Sequence, residues 1–255
     1  MILSVVTVHL DDFAGLSATR ASLRRHLSDP AVHWIVIDGD SSPGRAEDSE
    51  SLRGAREAAD EYVSEPDAGI YDAMNKGTRL ARGDYVLYLN AGDELHERFS
   101  LEGLAAELGD DRPGMIWGTC HERYPDGRRV RVKNRSPWLA WYGIPVNHQN
   151  VLFRRDLLGD APYRLEYRYN ADYDLIGRLL KQGTAVRRTE MPVAVFARGG
   201  ASARNFSEML KEEEALRTLH FGVSPALSRG ITAFKRLTGR LGRVPAIRRV
   251  LRKWV

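Results

Sequence analysis

Over the first hundred residues, short apolar runs that each stop at an acidic or amide-bearing turn alternate with stretches of helical spacing. This rhythm constrains the fold more than any other feature of the chain. Ile2 to Val8 reads as a buried strand, and Leu16, Leu23 and Leu27 share one face of the helix that follows. Trp34 to Ile37 is a second strand, running into the turn-rich segment Asp38 to Gly44. A helix near Leu52 to Ala59 leads to a short strand at Tyr62 and Val63. Another helix covers about Tyr71 to Ala81, and the strand Tyr85 to Leu89 stops at Asn-Ala-Gly-Asp. Strands and helices alternating in this way predict βαβ units and a parallel sheet. Such sheets bind ligands outside the carboxyl ends of their strands. That rule selects Thr7 to Asp12, Asp38 to Ser42, and Asn90 to Asp93.

The second half is less regular. Met115 to Thr119 and Val151 to Phe153 read as strands, Asp126-Gly127 is a hairpin signal, and Tyr173 to Leu180 and Ser207 to Phe221 read as helices. A chain of 255 residues can bury one substantial core without staples. The expected architecture is one α/β domain over residues 1–223 with a basic helical extension over 224–255. The single cysteine, Cys120, excludes a disulfide framework and a thiolate metal cluster, and it suits a reducing cytoplasm. No secretory signal pattern and no long uncharged apolar run is expected to direct the chain into or across a membrane.

Charge is unevenly placed. From Ser224 to Val255 there are nine Lys or Arg and no Asp or Glu, leaving 29 basic against 34 acidic residues in the body. The body therefore gives no sign of nucleic-acid binding. Leu227, Ile231, Phe234 and Leu241 keep helical spacing, as do Val244, Ile247, Leu251 and Trp254, with basic residues between them. A basic amphipathic helix with a terminal Trp predicts contact with an anionic membrane surface, peripheral on the inner face. The alternative is a helical pair packing its apolar stripe onto the domain or a second subunit.

Acidic residues at or beyond three strand ends are candidates to converge on one cleft: Asp38, Asp93 and, later, Asp172 or Asp174. Clustered oxygens suit a hard divalent cation, Mg²⁺ or Mn²⁺, and such a cation suits a pyrophosphate. Either Asp172 or Asp174 can act as a general base, and the other can cap the helix that carries them both. Trp138, Trp141 and Tyr142 precede His148 and Gln149, where aromatics serve equally to stack on a sugar or to fill a core.

The stretch SEPDAGIYDAMNKGTRLARGDYVLYLNAGDEL resembles the central region of family 2 glycosyltransferases, enzymes of the GT-A fold that build polysaccharides and glycolipids. The flanks agree: SVVTVHLDDFAGLSATRASL, WIVIDGDSSPG, NHQNVLFRRDLL and YNADYDLIGRLL resemble further parts of the family, so the likeness spans about residues 2 to 202. It implies a nucleoside-diphosphate sugar donor, a saccharide or lipid-linked acceptor, and an inverting transfer. Asp93 falls on the metal- and diphosphate-binding carboxylate, whereas Gly92 stands where many members carry another acid. Asp38 falls on the acid that contacts the base, and in Asp-Gly-Asp the neighbouring Asp40 is a second candidate for that contact. By the same resemblance Thr7 and Val8 line the base and ribose pocket, and Asp72, Asn75 and Lys76 face the donor, with Asn90 at the same strand end as Asp93. Asp172 falls on the catalytic base. His148 and Gln149 sit at the mouth of the site, and Arg198 begins a turn near the diphosphate. A nucleotidyltransferase would carry a glycine-rich basic loop after the first strand, where this chain has His-Leu-Asp-Asp-Phe. A binding module that has lost chemistry finds support in Gly92. A glycoside hydrolase needs carboxylates but no nucleotide-shaped strand ends.

Overall fold

The computed structural model describes residues 2–124, 126–132, 134–197 and 205–241. Strands β1 (Leu3–His9) and β2 (Val32–Asp38) are buried along their whole length. Parallel strands covered on both faces are mostly apolar, which is why these two read as near-continuous apolar runs, with Ser4, Thr7 and His33 as buried polar exceptions. Helix α1 (Phe13–Leu23) links them, α2 (Ala46–Ala58) leads to β3 (Glu61–Ser64), and α3 (Ile70–Leu80) leads to β4 (Tyr85–Tyr88). β1 lies between β2 and β4, β3 lies outside β2, and all four are parallel. The strand order thus reverses between β1 and β4, where the connections diverge and a crevice opens.

Beyond β4 the sheet is mixed. β8 (Val151–Arg154) runs antiparallel to β4, and β6 (Met115–Arg123) runs antiparallel to β8. β9 (Val186–Ala197) lies parallel to β6, and the short β5 (Glu94–Leu95) pairs with β9. The Asp126-Gly127 turn closes a hairpin between β6 and β7 (Arg129–Val132), with Gly127 at φ 78°. β5, β9 and the helix α4 (Leu101–Leu108) have no counterpart in the sequence reading. β9 holds three charged residues and a proline, and its pairing with β6 shifts register around Thr119. Its irregular burial hides the period-2 signal of a strand.

Alternate residues of the strands feed two cores. Val6, Val8, Ile35, Ile37 and Tyr88 pack under α3 and under α5 (Ala171–Lys181), while Val5, Trp34, Val36 and Leu87 pack under α1 and α2. Each such side chain contributes about 1.5–3 kcal/mol by leaving water. α3 lies close on the sheet, since a Cβ at Gly77 would come within 2.3 Å of Val6 Cγ1.

The chain ends its described course in two helices, α6 (Phe206–Phe221) and α7 (Pro225–Leu241), joined at Gly222 in the left-handed conformation. Arg217 of α6 is fully buried and donates from Nε to Ser228 Oγ (3.0 Å) and from Nη2 to the Ser228 carbonyl (3.0 Å), latching α7 onto α6. Lys235 of α7 pairs with Glu213 of α6. Ile231 is buried, whereas Leu227, Phe234 and Leu237 stay exposed. The second half of the basic extension, including Val244, Ile247, Leu251 and Trp254, lies outside the described residues.

Candidate functional site

The carboxyl end of β2 forms the first wall. Asp38 accepts hydrogen bonds from the Ser41 N–H (2.9 Å), the Tyr62 hydroxyl (3.0 Å) and the Ser64 hydroxyl (2.8 Å). Burial pushes its pKa up, but the donors on Ser41 and Ser64, with His9 3.5 Å away, hold the net value below the ordinary one. His9 itself has a lowered pKa because burial outweighs the pull of Asp38, Asp12 and Asp11. Asp40 is exposed, with φ 70°, and joins Asp38, Ser41, Arg53, Arg56 and Ser64 in lining a cleft of about 640 Å³. Asp38 therefore shapes the loop from within, and Asp40 presents an acid at its surface. The β1 loop is stapled to this wall: Asp11 N–H donates to Ser41 Oγ, and Asp11 Oδ1 accepts from the Ser42 N–H.

The turn after β4 forms the second wall. Asp93 N–H closes the turn on the Asn90 carbonyl (2.9 Å), and Gly92 takes φ 89°, a conformation that L side chains rarely adopt. A side chain at this position would be strained, which accounts physically for the glycine. Thr19 of α1 pins the turn, donating to the Asp93 carbonyl (2.6 Å) and accepting from the Gly92 N–H (3.1 Å). Asp93 is 4% exposed; it accepts from Gln149 Nε2 (3.0 Å) and from the Ala197 N–H (3.0 Å). Burial raises its pKa to about 6, against the pull of those two donors, His148 and Arg123.

The third wall comes from the second half of the chain. The 3₁₀ turn His148–Asn150 places adjacent side chains on different partners. Gln149 reaches Asp93, while His148 lies 3.1 Å from Asp172 Oδ2 through Nδ1 and 3.3 Å from Asn90 Nδ2 through Nε2. Because the Asn90 amide is a donor, His148 Nε2 accepts and its Nδ1–H donates to Asp172. Asp172 sits in the first turn of α5, where a carboxylate is favoured by the helix dipole, and its Oδ1 accepts the Tyr173 N–H (2.8 Å). Asn90, Asp93, His148, Gln149 and Asp172 thus form one connected group around the turn after β4.

Several expected residues lie elsewhere. Asp174 is fully buried, 2.8 Å from His220 Nε2, 3.0 Å from Arg178 Nε and 3.7 Å from Arg164 Nη1. It has no route to a substrate, which corrects its place as a candidate base, and Asn170 rather than Asp174 occupies the cap of α5. Thr7 is fully buried with its hydroxyl accepting from Trp34 Nε1 (3.0 Å), and Val8 lies in the core, so neither side chain lines a pocket. Asn75 is engaged at both ends of its amide with the main chain of Tyr163, donating at 2.8 Å and accepting at 2.9 Å. Lys76 donates to the Pro66 carbonyl (2.6 Å) and pairs with Glu65 (2.9 Å), and Asp72 accepts from the Ala68 N–H (3.0 Å). Both hold the entry to α3. Arg198 lies outside the described residues. Among the described residues Trp138 is the most exposed of the large apolar side chains, and Tyr142 packs under Lys235. Thr19, Tyr62, Ser64 and Ala197 join the site without any signal in the sequence, since each acts through a contact distant along the chain.

Among the described residues no three His, Cys, Asp or Glu side chains gather to hold an ion. The Asn90–Asp93 turn instead offers one carboxylate and, on Asn90, a buried side-chain oxygen without a hydrogen-bond partner. With phosphate oxygens added, that sparse all-oxygen set suits Mg²⁺ or Mn²⁺, which are often held by one or two protein oxygens and a substrate.

Comparison with known proteins agrees with this geometry. The family described as "Glycosyl transferase family 2" matches residues 4–167. A "PGL/p-HBAD biosynthesis glycosyltransferase" of Mycobacterium bovis is 35% identical over 124 residues, 48% of this chain and 48% of the relative; the match thus spans about half of that protein's length. Among solved structures, Staphylococcus aureus TarS 1-349 in complex with UDP-GlcNAc superposes with a TM-score of 0.65 at 14% identity, covering 91% of this chain and 71% of that one. A mannosyltransferase from Pyrobaculum calidifontis in complex with GDP-Man and Mn²⁺ gives 0.58 at 12% identity, covering 98% and 78%. The fold is of the GT-A type, and the chain belongs to glycosyltransferase family 2.

Proposed function

We propose that the protein transfers a sugar from a nucleoside-diphosphate sugar to a hydroxyl of a saccharide or lipid-linked acceptor, with inversion at the anomeric carbon. The observation that carries this reading is the connected group of Asn90, Asp93, His148, Gln149 and Asp172 at the carboxyl ends of the strands. The donor's base enters the cleft at Asp40, Ser41 and Arg56, and its diphosphate reaches the turn after β4. The complexes of fold neighbours with UDP-GlcNAc and GDP-Man support a donor of this class.

Asp172 acts as general base. Its Oδ2 is held by His148 Nδ1–H, whose ring is fixed in turn by Asn90, and each carboxylate oxygen keeps a lone pair for the acceptor hydroxyl. The acceptor oxygen forms its bond to the anomeric carbon as the bond to the diphosphate breaks on the opposite face, and the acceptor's proton passes to Asp172. Asp93 and Asn90 would hold a divalent cation, which supplies charge neutralisation for the departing diphosphate. Gln149 orients Asp93 for that contact.

The test is thermal stabilisation by a panel of nucleoside diphosphates with and without Mn²⁺, alongside Asp93→Ala. A ligand at a hundred times its Kd adds about 2.7 kcal/mol. One base is expected to stabilise, more so with Mn²⁺ and less in the variant. Silence from every diphosphate would leave a module without a donor site.

The basic extension is read as a contact with an anionic membrane face, because its positive charge is unopposed by any acid from Ser224 onward and α7 leaves Leu227, Phe234 and Leu237 exposed. Among the described residues no helix is long and apolar enough to cross a membrane. Removing residues 242–255 takes away five of the nine cations while leaving the Arg217 latch, and is expected to abolish most co-sedimentation with anionic vesicles. Undiminished co-sedimentation would assign the extension to protein packing.

A further inference from the structure

A second cavity, of about 760 Å³, lies between the segment before His148 and the helices α6 and α7. Its volume is in the range of sites for small molecules. Its wall includes Asn147 and Asn150, which flank His148, and Asn170, two residues before Asp172, together with the apolar Ile144, Met209 and Phe234. We propose that this cavity receives the apolar aglycone of the acceptor, an alkyl- or aryl-bearing group whose hydroxyl or first sugar then lies toward Asp172. The proposal rests on the transferase reading given above and names the acceptor class for it.

Three observations carry the assignment. The cavity adjoins the base along the chain: its lining residue Asn147 precedes His148, and Asn170 stands two residues before Asp172. Asn150 is fully buried, yet neither end of its carboxamide has a hydrogen-bond partner beyond the weak thiol of neighbouring Cys120. A buried amide left unpaired is unfavourable, and a hydroxyl or glycosidic oxygen on a ligand would pair it. Finally, Phe234 lines the cavity while more than half exposed, on the helix that also exposes Leu227 and Leu237. The cavity therefore opens beside an apolar surface, as suits a ligand that arrives from a lipid phase. Of the charged side chains in the wall, Glu213 and Lys235 pair with each other, and Arg135 lies over the Tyr142 ring.

The experiment titrates the full chain with para-alkylphenols carrying methyl, butyl and octyl groups, below their micellar concentrations, and follows binding by calorimetry. The Kd is expected to fall by about three- to fourfold for each methylene that enters the cavity. Thr238→Trp, which fills the cavity from α7, should abolish that chain-length gain while stabilisation by the nucleoside diphosphate is retained. Phe234→Ala, at the exposed rim, should weaken octylphenol about fivefold and serves as the second variant should Thr238→Trp not fold. Affinity independent of chain length in the wild type would overturn the proposal, and so would an undiminished gain in both variants. Failure of the donor reading is separate: it shows as absent nucleotide stabilisation, whatever the alkylphenols do.

Discussion

The two sides of the cleft are built by different means. On the donor side every functional group lies within a few residues of a strand end, and the ladder of β1, β2 and β4 places it. On the acceptor side His148, Gln149 and Asp172 come from a 3₁₀ turn and a helix start, and side-chain hydrogen bonds across 24, 56 and 58 residues hold them in place. The first kind of site starts from backbone register, and Tyr62, Ser64 and Thr19 fasten its turns through side-chain hydrogen bonds. The second depends on individual side chains, so one change there separates function from folding more cleanly. Asp172 and Asp174 make the sharpest form of this contrast, since one helical turn sends one carboxylate to the cleft and the other into a buried ion cluster.

Asp172→Asn tests that contrast with the largest expected effect. Asparagine keeps the shape and a partner for His148 but cannot take the acceptor's proton. With the donor that the diphosphate panel selects, kcat is expected to fall by about 10²–10⁴-fold. Stabilisation by the nucleoside diphosphate should be unchanged, because the base touches the acceptor and not the nucleotide. A variant with near-native kcat would remove Asp172 from the chemistry and turn attention to His148.

Asp174→Ala should do the reverse. It strands Arg178 and His220 around an empty buried position, and breaking a buried pair in this way costs about 3–5 kcal/mol. The urea midpoint should drop accordingly, while the folded fraction retains kcat within about twofold. Loss of kcat at full occupancy of the folded state would mean that the two carboxylates are one functional unit.

The same division explains what could be read from the sequence. β1 to β4, their helices and the three strand-end turns follow from apolar runs and helical spacing, because buried parallel strands carry their signal locally. Asp38, Asp40, Asn90 and Asp93 were accessible on that basis. The roles proposed for Asp172 and His148 rest on likeness to a family, since no local pattern distinguishes Asp172 from Asp174. What separates them is Arg164, His220 and Arg178, of which two lie outside their helix. Asn75 and Lys76 were read as donor contacts through the motif, and the structure adds main-chain partners for both that the sequence did not signal. β9 stayed hidden because its charges and Pro192 obscure the strand period, although its last N–H is a partner of Asp93.

A smaller effect compares one buried carboxylate from each side. Among the described residues Asp93 has no cation in direct contact, and burial lifts its pKa from 3.8 to about 6. Asp174 is buried as well, but His220, Arg178 and Arg164 reverse that push and hold its pKa below the ordinary value. Over the window from about pH 4 to about pH 6 the folded chain therefore keeps a proton on Asp93 that the unfolded chain has released. On this account the contribution of Asp93 to stability is greatest below about pH 4, declines through the window, and is lower by about 3 kcal/mol above it. Asp174 works with the other sign, contributing above its unfolded pKa and losing that contribution as pH falls. Melting of the metal-free protein against Asp93→Asn, from about pH 4 to about pH 7, isolates the first group. The difference between the two proteins should shift in favour of the variant as pH rises. A flat difference would mean that Asp93 has a cationic partner in solution, and the donor side would then hold its carboxylate by the same ion pairing that holds Asp174.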